Sequence, residues 1–237
     1  MNDDGTSATP RIQVTVAAPA DEVWRSLRDR GVIRQWHGWD AAELDAEIDS
    51  IYFTDVVEDA ERRTLIANGG DRFEVRPHGS GARVTLTRAP LSGNPDWDAY
   101  YDEVTEGWTT FMHQLRFAVE RQPGATRRTL LFSGPDAALE AVTGRLRLDG
   151  PVGAPPGTRY TATVAAQDIA GEVWFRSEHQ LGVTVDEWGA GLLVVVGAQA
   201  SGTGSTGASK VVLSTFGLPV EEFAELERQW ADWWRGR

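Results

Sequence analysis

Six aromatic residues, Trp36, Trp39, Phe53, Phe73, Trp108 and Phe111, stand where they could line an apolar pocket. Flat rings offer large contact area and a surface on which an aromatic or lipid-like ligand can stack. The same rings would also make a packed core, and spacing alone does not choose between the two. His37 lies between two of the tryptophans, where its imidazole could hydrogen-bond a ligand carbonyl at a pocket mouth. Acid-base chemistry in such a cavity would need a proton donor or acceptor moved toward neutral pKa by desolvation. Tyr52, Glu74, Arg76, Arg88 and Tyr101 are the candidates, Tyr101 being the better polar handle because it lies on the apolar stripe of a helix. On an alternating strand Glu74 and Arg76 share the face opposite Phe73 and Val75, so inward rings leave those charges in water. No residue is assigned a catalytic role.

The histidines His37, His78, His113 and His179 include no pair three or four positions apart, so no metal site is expected. His113 falls off its helix stripe and is expected at the surface, while His179 beside Glu178 reads as a solvated cross-strand pair. Gly69-Gly70 and Gly79-Ser80-Gly81 separate short strands instead of joining a strand to a helix, so they are not phosphate loops. There is no Gly-x-Ser-x-Gly elbow. Neither nucleotide binding nor nucleophilic hydrolysis has support, and no cofactor is expected.

A chain of 237 residues with 41% apolar and 24% charged residues can bury one large core or two ordinary ones. The formal charge of −12 repels phosphate backbones, which argues against nucleic acid as a partner. Lys210 is the only lysine among many arginines, a usage typical of GC-rich bacterial genomes. The absence of cysteine suits a reducing cytoplasm. The longest apolar run, Gly191 to Gly197, is far short of the about 20 residues a membrane span needs, and reads as a buried strand. Residues 1–10 have neither a basic start nor an apolar core and are expected to be a disordered tail.

Period-2 alternation over Arg11–Val16 predicts a strand, and Val23, Trp24 and Leu27 predict a short helix after Pro19. A second helical piece, begun after a break at Gly31, should carry Val32, Ile33, Trp36 and Trp39. Between Ile48 and Arg88 the text reads as an antiparallel meander of strands at Ile51–Val57, Arg63–Ala67, Arg72–Val75 and Ala82–Arg88. Trp97, Tyr101, Val104, Trp108, Phe111, Leu115 and Val119 mark one face of a long helix that Pro123 and Gly124 stop.

The second half repeats this grammar: a strand at Arg128–Phe132, a short helix from Pro135 to Val142, several strands from Tyr160 to Phe216, and a final helix after Pro219. Its stripe is Phe223, Leu226, Trp230 and Trp233. Asp149 to Gly157 reads as a loop, which leaves the second unit a degenerate copy, and Ala200 to Ala208 as a flexible hairpin tip. Two units are therefore expected, 11–123 and 124–237. Trp230, Trp233 and Trp234 offer more aromatic surface than one core contact needs, so the last helix is expected to clasp the first unit, a homodimer being the alternative to a monomer.

The strand Ile12–Val16 running through Ala17-Ala18-Pro19 into Val23-Trp24, a downstream Trp36, the meander, and Gly107-Trp108 inside the last helix of the half together resemble the SRPBCC, or START-like, superfamily. The branch most similar is that of activators of the heat-shock chaperone ATPase. The likeness covers Arg11 to Gln122 well and the remainder in outline. It implies an α+β fold of two helix-grip units, each a curved antiparallel sheet around a long C-terminal helix with a cavity between them. The superfamily binds lipids, polyketides and other apolar molecules, and some members are cyclases or dehydratases, so fold does not decide function. Three readings follow: a binder of a small apolar ligand held by Trp36, His37, Trp39, Phe53, Phe73, Tyr101, Trp108 and Phe111; a protein-interaction module without a ligand; or an enzyme of cyclase or dehydratase type.

Overall fold

The computed structural model describes residues 9–134, 137–198 and 208–236. The expected tail falls almost wholly outside these residues, as do Pro135 and most of the stretch from Ala200 to Ala208.

In β1 (Arg11–Val16) the alternation places Val14 and Val16 inward. Pro19 then leads into α1 (Ala20–Ser26), and the side chain of Asp29 caps α2 (Arg30–Ile33) by accepting from the Val32 N–H at 3.1 Å. Gly31 lies inside α2 and does not break it. The next element corrects the expected strand at Ile51–Val57, because α3 (Leu44–Tyr52) runs through its beginning. Leu44, Ile48 and Tyr52 recur every fourth residue and are buried on one helical face, a pattern that begins upstream of the β-like Ile51-Tyr52-Phe53 run and overrides it.

Next come β2 (Val57–Asp59), β3 (Thr64–Ile66), β4 (Arg72–His78) and β5 (Gly81–Thr87). They form an antiparallel sheet in the order β1-β5-β4-β3-β2. Phe73 and Val75 point into its core, and Arg76 points out. A short α4 (Pro95–Asp98) precedes α5 (Tyr101–Arg121), which ends at Gln122 beside Gly124, whose φ of 75° suits glycine.

The second half opens with β6 (Arg127–Gly134) and α6 (Leu139–Arg145). The segment expected to be a loop contains α7 (Asp149–Gly153), where Pro151 sits in the first turn and so forfeits no helical hydrogen bond. Strands β7 (Arg159–Val164), β8 (Gln167–Arg176), β9 (Gln180–Val185), β10 (Gly191–Val196) and β11 (Ser209–Phe216) follow, and α8 (Val220–Arg235) closes the chain. The second antiparallel sheet has the order β6-β11-β10-β9-β8-β7. Each half is thus an antiparallel sheet closed by a helix C-terminal to it. The fold is α+β with two helix-grip units. Among the described residues no helix is long and apolar enough to cross a membrane.

The second sheet is covered on both faces. Leu193, Val195, Val211 and Leu213 face α8, while Leu192, Val194, Val212 and Phe216 face Phe117 of α5. That two-sided burial is why β10 reads as an unbroken Leu-Leu-Val-Val-Val run. Helix α5 accordingly has two working faces: Trp108, Phe111, Met112 and Leu115 close the first sheet, and Phe117 packs on the second. Burying such side chains is worth about 1.5–3 kcal/mol each, so this one helix holds a large share of the first core and ties it to the second sheet through Phe117.

The C-terminal tryptophans do not clasp the first unit. Trp230 packs on Phe132 and Trp188, and the Trp234 indole donates to the Ser133 carbonyl at 3.2 Å, so the last helix grips its own sheet. Gly134 permits this approach, since a Cβ there would lie 3.0 Å from the Trp234 ring. The contact between halves is made instead by α5 and by residues 35–40, which bond Arg127 and Thr129 of β6.

Candidate functional site

Between the first sheet and α5 the space is filled. Trp36, His37, Tyr52 and Phe73 are fully buried and Trp108 is 5% exposed. Their rings meet edge to face or tilted, with centroids 5.4 Å apart for Phe73 and Trp108 and 4.7 Å for His37 and Phe111. These are the separations of aromatic groups in a packed core. The Trp36 indole donates to the Ser26 carbonyl at 2.9 Å, which spends its one polar atom within the protein.

His37 sits in the middle of this core instead of at a pocket mouth. Its Nδ1 accepts from the Tyr52 hydroxyl at 2.9 Å, and its Nε2 lies 3.3 Å from Glu47 Oε1. That pattern fits the neutral ring with the proton on Nε2. Burial lowers the His37 pKa, with the nearby Arg127 charge acting in the same sense and Glu47 opposing both. Burial likewise raises the Tyr52 pKa well above that of a free phenol. Both groups have their partners within the protein.

The other proposed wall residues disperse. Phe53 is half-buried under the guanidinium groups of Arg30 and Arg28, 3.8 and 4.8 Å from its ring. Tyr101 donates to the Ala89 carbonyl at 2.6 Å beneath Arg88, whose guanidinium is paired with Asp71. Trp39 packs one side on Phe111 and turns the other toward a cleft on the opposite face of α5.

The cleft encloses about 60 Å³ between the first half of α5 and strands β10 and β11. Its walls are Trp39, Gly107, Val196, Gly197, Ala198 and Val212. Its polar edge is Asp102, Glu103, Glu106, Thr110 and Lys210. Helical spacing brings the α5 residues together, because positions 103, 106, 107 and 110 fall on one face, opposite the stripe that buries Trp108. Lys210 on β11 bonds Glu103 at 2.6 Å and lies 6.0 Å from the Trp39 ring centroid.

Two buried polar residues fix this geometry. Gln180, at the start of β9, is fully buried: it accepts from the Thr110 hydroxyl at 2.8 Å and donates to both the backbone carbonyl and the carboxylate of Glu106. Arg127, at the start of β6, donates to the carbonyls of His37 and Gly38 and, at 2.8 Å, to Gln114 Oε1. Burial pushes the Arg127 pKa down to about 10, and Asp40 partly restores it. Asp40 and Thr129 exchange two hydrogen bonds, of 2.6 and 2.8 Å, so the Gln35–Asp40 segment that carries Trp39 is pinned to the second sheet. Sequence reasoning missed both residues. The available signal was a polar side chain at the mouth of an apolar strand, which marks a buried anchor only when the opposite face is also known to be covered.

His113 also departs from expectation. It stacks on Phe175 at 3.7 Å with ring planes 4° apart, and burial pushes its pKa down to about 3. Gly182 makes room for that stack, since a Cβ there would lie 2.2 Å from the Phe175 ring. His179 lies 3.9 Å from Glu178 as a partly exposed pair. Two wider depressions exist, of about 290 Å³ beside Val32 and Val119 and about 520 Å³ along edge strand β1, the latter an open surface groove. Among the described residues no cluster of three His, Asp or Glu has the geometry of a metal site.

No protein-family model and no curated protein matches the chain. Among solved structures it is similar to DynU16, a protein of the dynemicin biosynthetic locus, with 16% identity, 94% of each chain covered and a TM-score of 0.32. It is similar to the di-domain ARO/CYC StfQ of the steffimycin biosynthetic pathway, with 10% identity over 93% of this chain and 91% of that one, TM-score 0.36. The Aha1 dimer from Colwellia psychrerythraea matches 48% of this chain and 99% of its own, with 15% identity and a TM-score of 0.35. At these values no activity passes from those proteins to this one.

Proposed function

We propose that this protein binds a small, largely apolar ligand in the cleft between α5 and strands β10 and β11, and that it binds the ligand without transforming it. The observation that carries this reading is the cleft itself: a concave, apolar-walled space with a few convergent polar groups, which is the usual anatomy of a small-molecule site. Of the wall residues expected from sequence, Trp39 is the one that serves it. The enclosed volume of about 60 Å³ is small beside the roughly 300–1,000 Å³ of typical ligand pockets and below the roughly 150 Å³ that holds a benzene ring. The cleft therefore takes the end of a short chain or the edge of one ring, with the rest of the ligand at its open mouth. What supports binding without catalysis is that the buried pair His37 and Tyr52 lies in the filled core on the other side of α5, bonded to each other and away from the cleft, whose own ionisable groups are the edge carboxylates and Lys210.

Gly107 supplies the test. A Cβ at this helical position meets nothing within 4 Å, so Gly107→Leu starts its side chain in open space and directs it at the cleft. Titration of 3-phenylpropan-1-ol followed by NMR should show saturable binding to the native protein and at least a tenfold loss in Gly107→Leu. Equal binding by both proteins would show that the cleft is not the site.

A further inference from the structure

The cleft's charges say which class of ligand it takes. Asp102, Glu103 and Glu106 place three carboxylates along its helical edge, and Lys210 supplies one ammonium. The Lys210 ammonium pairs with Glu103 and stands over the Trp39 ring, while its side chain is only 24% exposed. This is the chain's only lysine, and every other long cation is an arginine. A compact ammonium on an alkyl stem is thus already seated between an aromatic face and a carboxylate, the arrangement by which proteins recognise alkylammonium groups. Glu106 is held at the same edge by the fully buried Gln180, so its carboxylate is oriented before any ligand arrives. The net charge of −12 adds a long-range attraction for cations.

Resting on the cleft reading above, we propose that the ligand is a protonated arylalkyl- or alkylamine whose ammonium takes over the seat Lys210 holds between Trp39 and Glu103. Its apolar body then lies along Gly107, Val196 and Val212. Lys210 is a built-in competitor: it keeps the seat neutralised when the cleft is empty and swings aside when the ligand enters. An amine is favoured because it replaces one ammonium by another. An alcohol would leave Glu103 without a cation, and a carboxylate would add a fourth negative charge.

Three probes of one shape separate these cases: 3-phenylpropylamine, 3-phenylpropan-1-ol and 3-phenylpropanoate, titrated at neutral pH into the full chain and followed by NMR. The amine should bind at least tenfold tighter than the alcohol, and the carboxylate weakest. Glu103→Gln should remove most of that preference, and the dispersion of the variant's own amide spectrum shows that it is folded. Lys210→Met should tighten the amine severalfold, because the competitor is gone. Raising the salt concentration should weaken the amine and spare the alcohol. If the alcohol binds as tightly as the amine, the cleft stands and the amine class is overturned. A carboxylate that binds tightest, through Lys210, overturns it in the opposite sense. If none of the three binds, the cleft reading itself falls and this inference with it.

Discussion

The two faces of α5 meet two sheets in different ways. Toward the first sheet the helix presents Trp108, Phe111, Met112 and Leu115 to a core already crowded with Trp36, His37, Tyr52 and Phe73, and nothing is left open. Toward the second sheet it presents small and polar residues, Gly107, Thr110 and Glu106, to the smooth valine face of β10 and β11, and a cleft remains. Large interlocking rings close space. A glycine opposite valines leaves it. The aromatic density that suggests a pocket in the sequence is what fills the first interior, and the site lies where the helix is least conspicuous.

The sharpest way to break this comparison is to hollow out the filled side. Trp108→Ala should cost about 3–5 kcal/mol, because a buried ring is removed from a core that relaxes only partly. Urea denaturation would measure it. A loss below about 1 kcal/mol would mean the rings enclose free space after all.

Cutting the link between the halves comes next. Arg127→Met leaves the carbonyls of His37 and Gly38 and the amide oxygen of Gln114 without their donor, at a cost of about 3 kcal/mol. It should also weaken ligand binding, since the segment bearing Trp39 loses its anchor. Undiminished binding would separate the anchor from the site.

Acid gives a smaller effect with a definite sign. His37 and His113 both have folded-state pKa values below that of free imidazole, His113 at about 3. The unfolded chain therefore binds protons first. The stability these groups contribute is complete above about pH 6.5 and is lost as the pH falls toward 3. His113→Phe keeps a ring against Phe175 and removes one titration, so between pH 7 and 4.5 it should lose on the order of 2 kcal/mol less stability than the native protein. Parallel losses would mean that His113 titrates as if in water.

Gly107→Leu should change stability least, by no more than about 1 kcal/mol and in the stabilising direction, since glycine is a poor helix residue. A large destabilisation would show that the apparent space is not there.

Much of this architecture was legible in the sequence because most elements bury one face, and one face leaves a period. Residues 11–16, the long helix from Tyr101 onward and the final helix read correctly for that reason, whereas Trp97 falls in the separate α4 and Val104 of the expected stripe is exposed. Ile51–Val57 misled because a β-branched and aromatic run looks like a strand in isolation, whereas the spacing of Leu44, Ile48 and Tyr52 settles it as helix. The second face of α5 left no period: Thr110, His113 and Gln114 are polar, and they are half-buried or buried only because a sheet about 70 residues downstream packs on them. The cleft was hidden with that face. Of its edge, the sequence pointed to Trp39 alone, and for a pocket on the other side of the helix.

The most direct test is to locate bound 3-phenylpropan-1-ol by amide and indole chemical-shift changes in the native protein. The cleft account predicts changes at Gly107, Val196, Gly197, Val212 and the Trp39 indole, with Tyr52 and Phe73 unmoved. Changes centred on Tyr52, Phe73 and Trp36 would contradict it and return the site to the interior between the first sheet and α5.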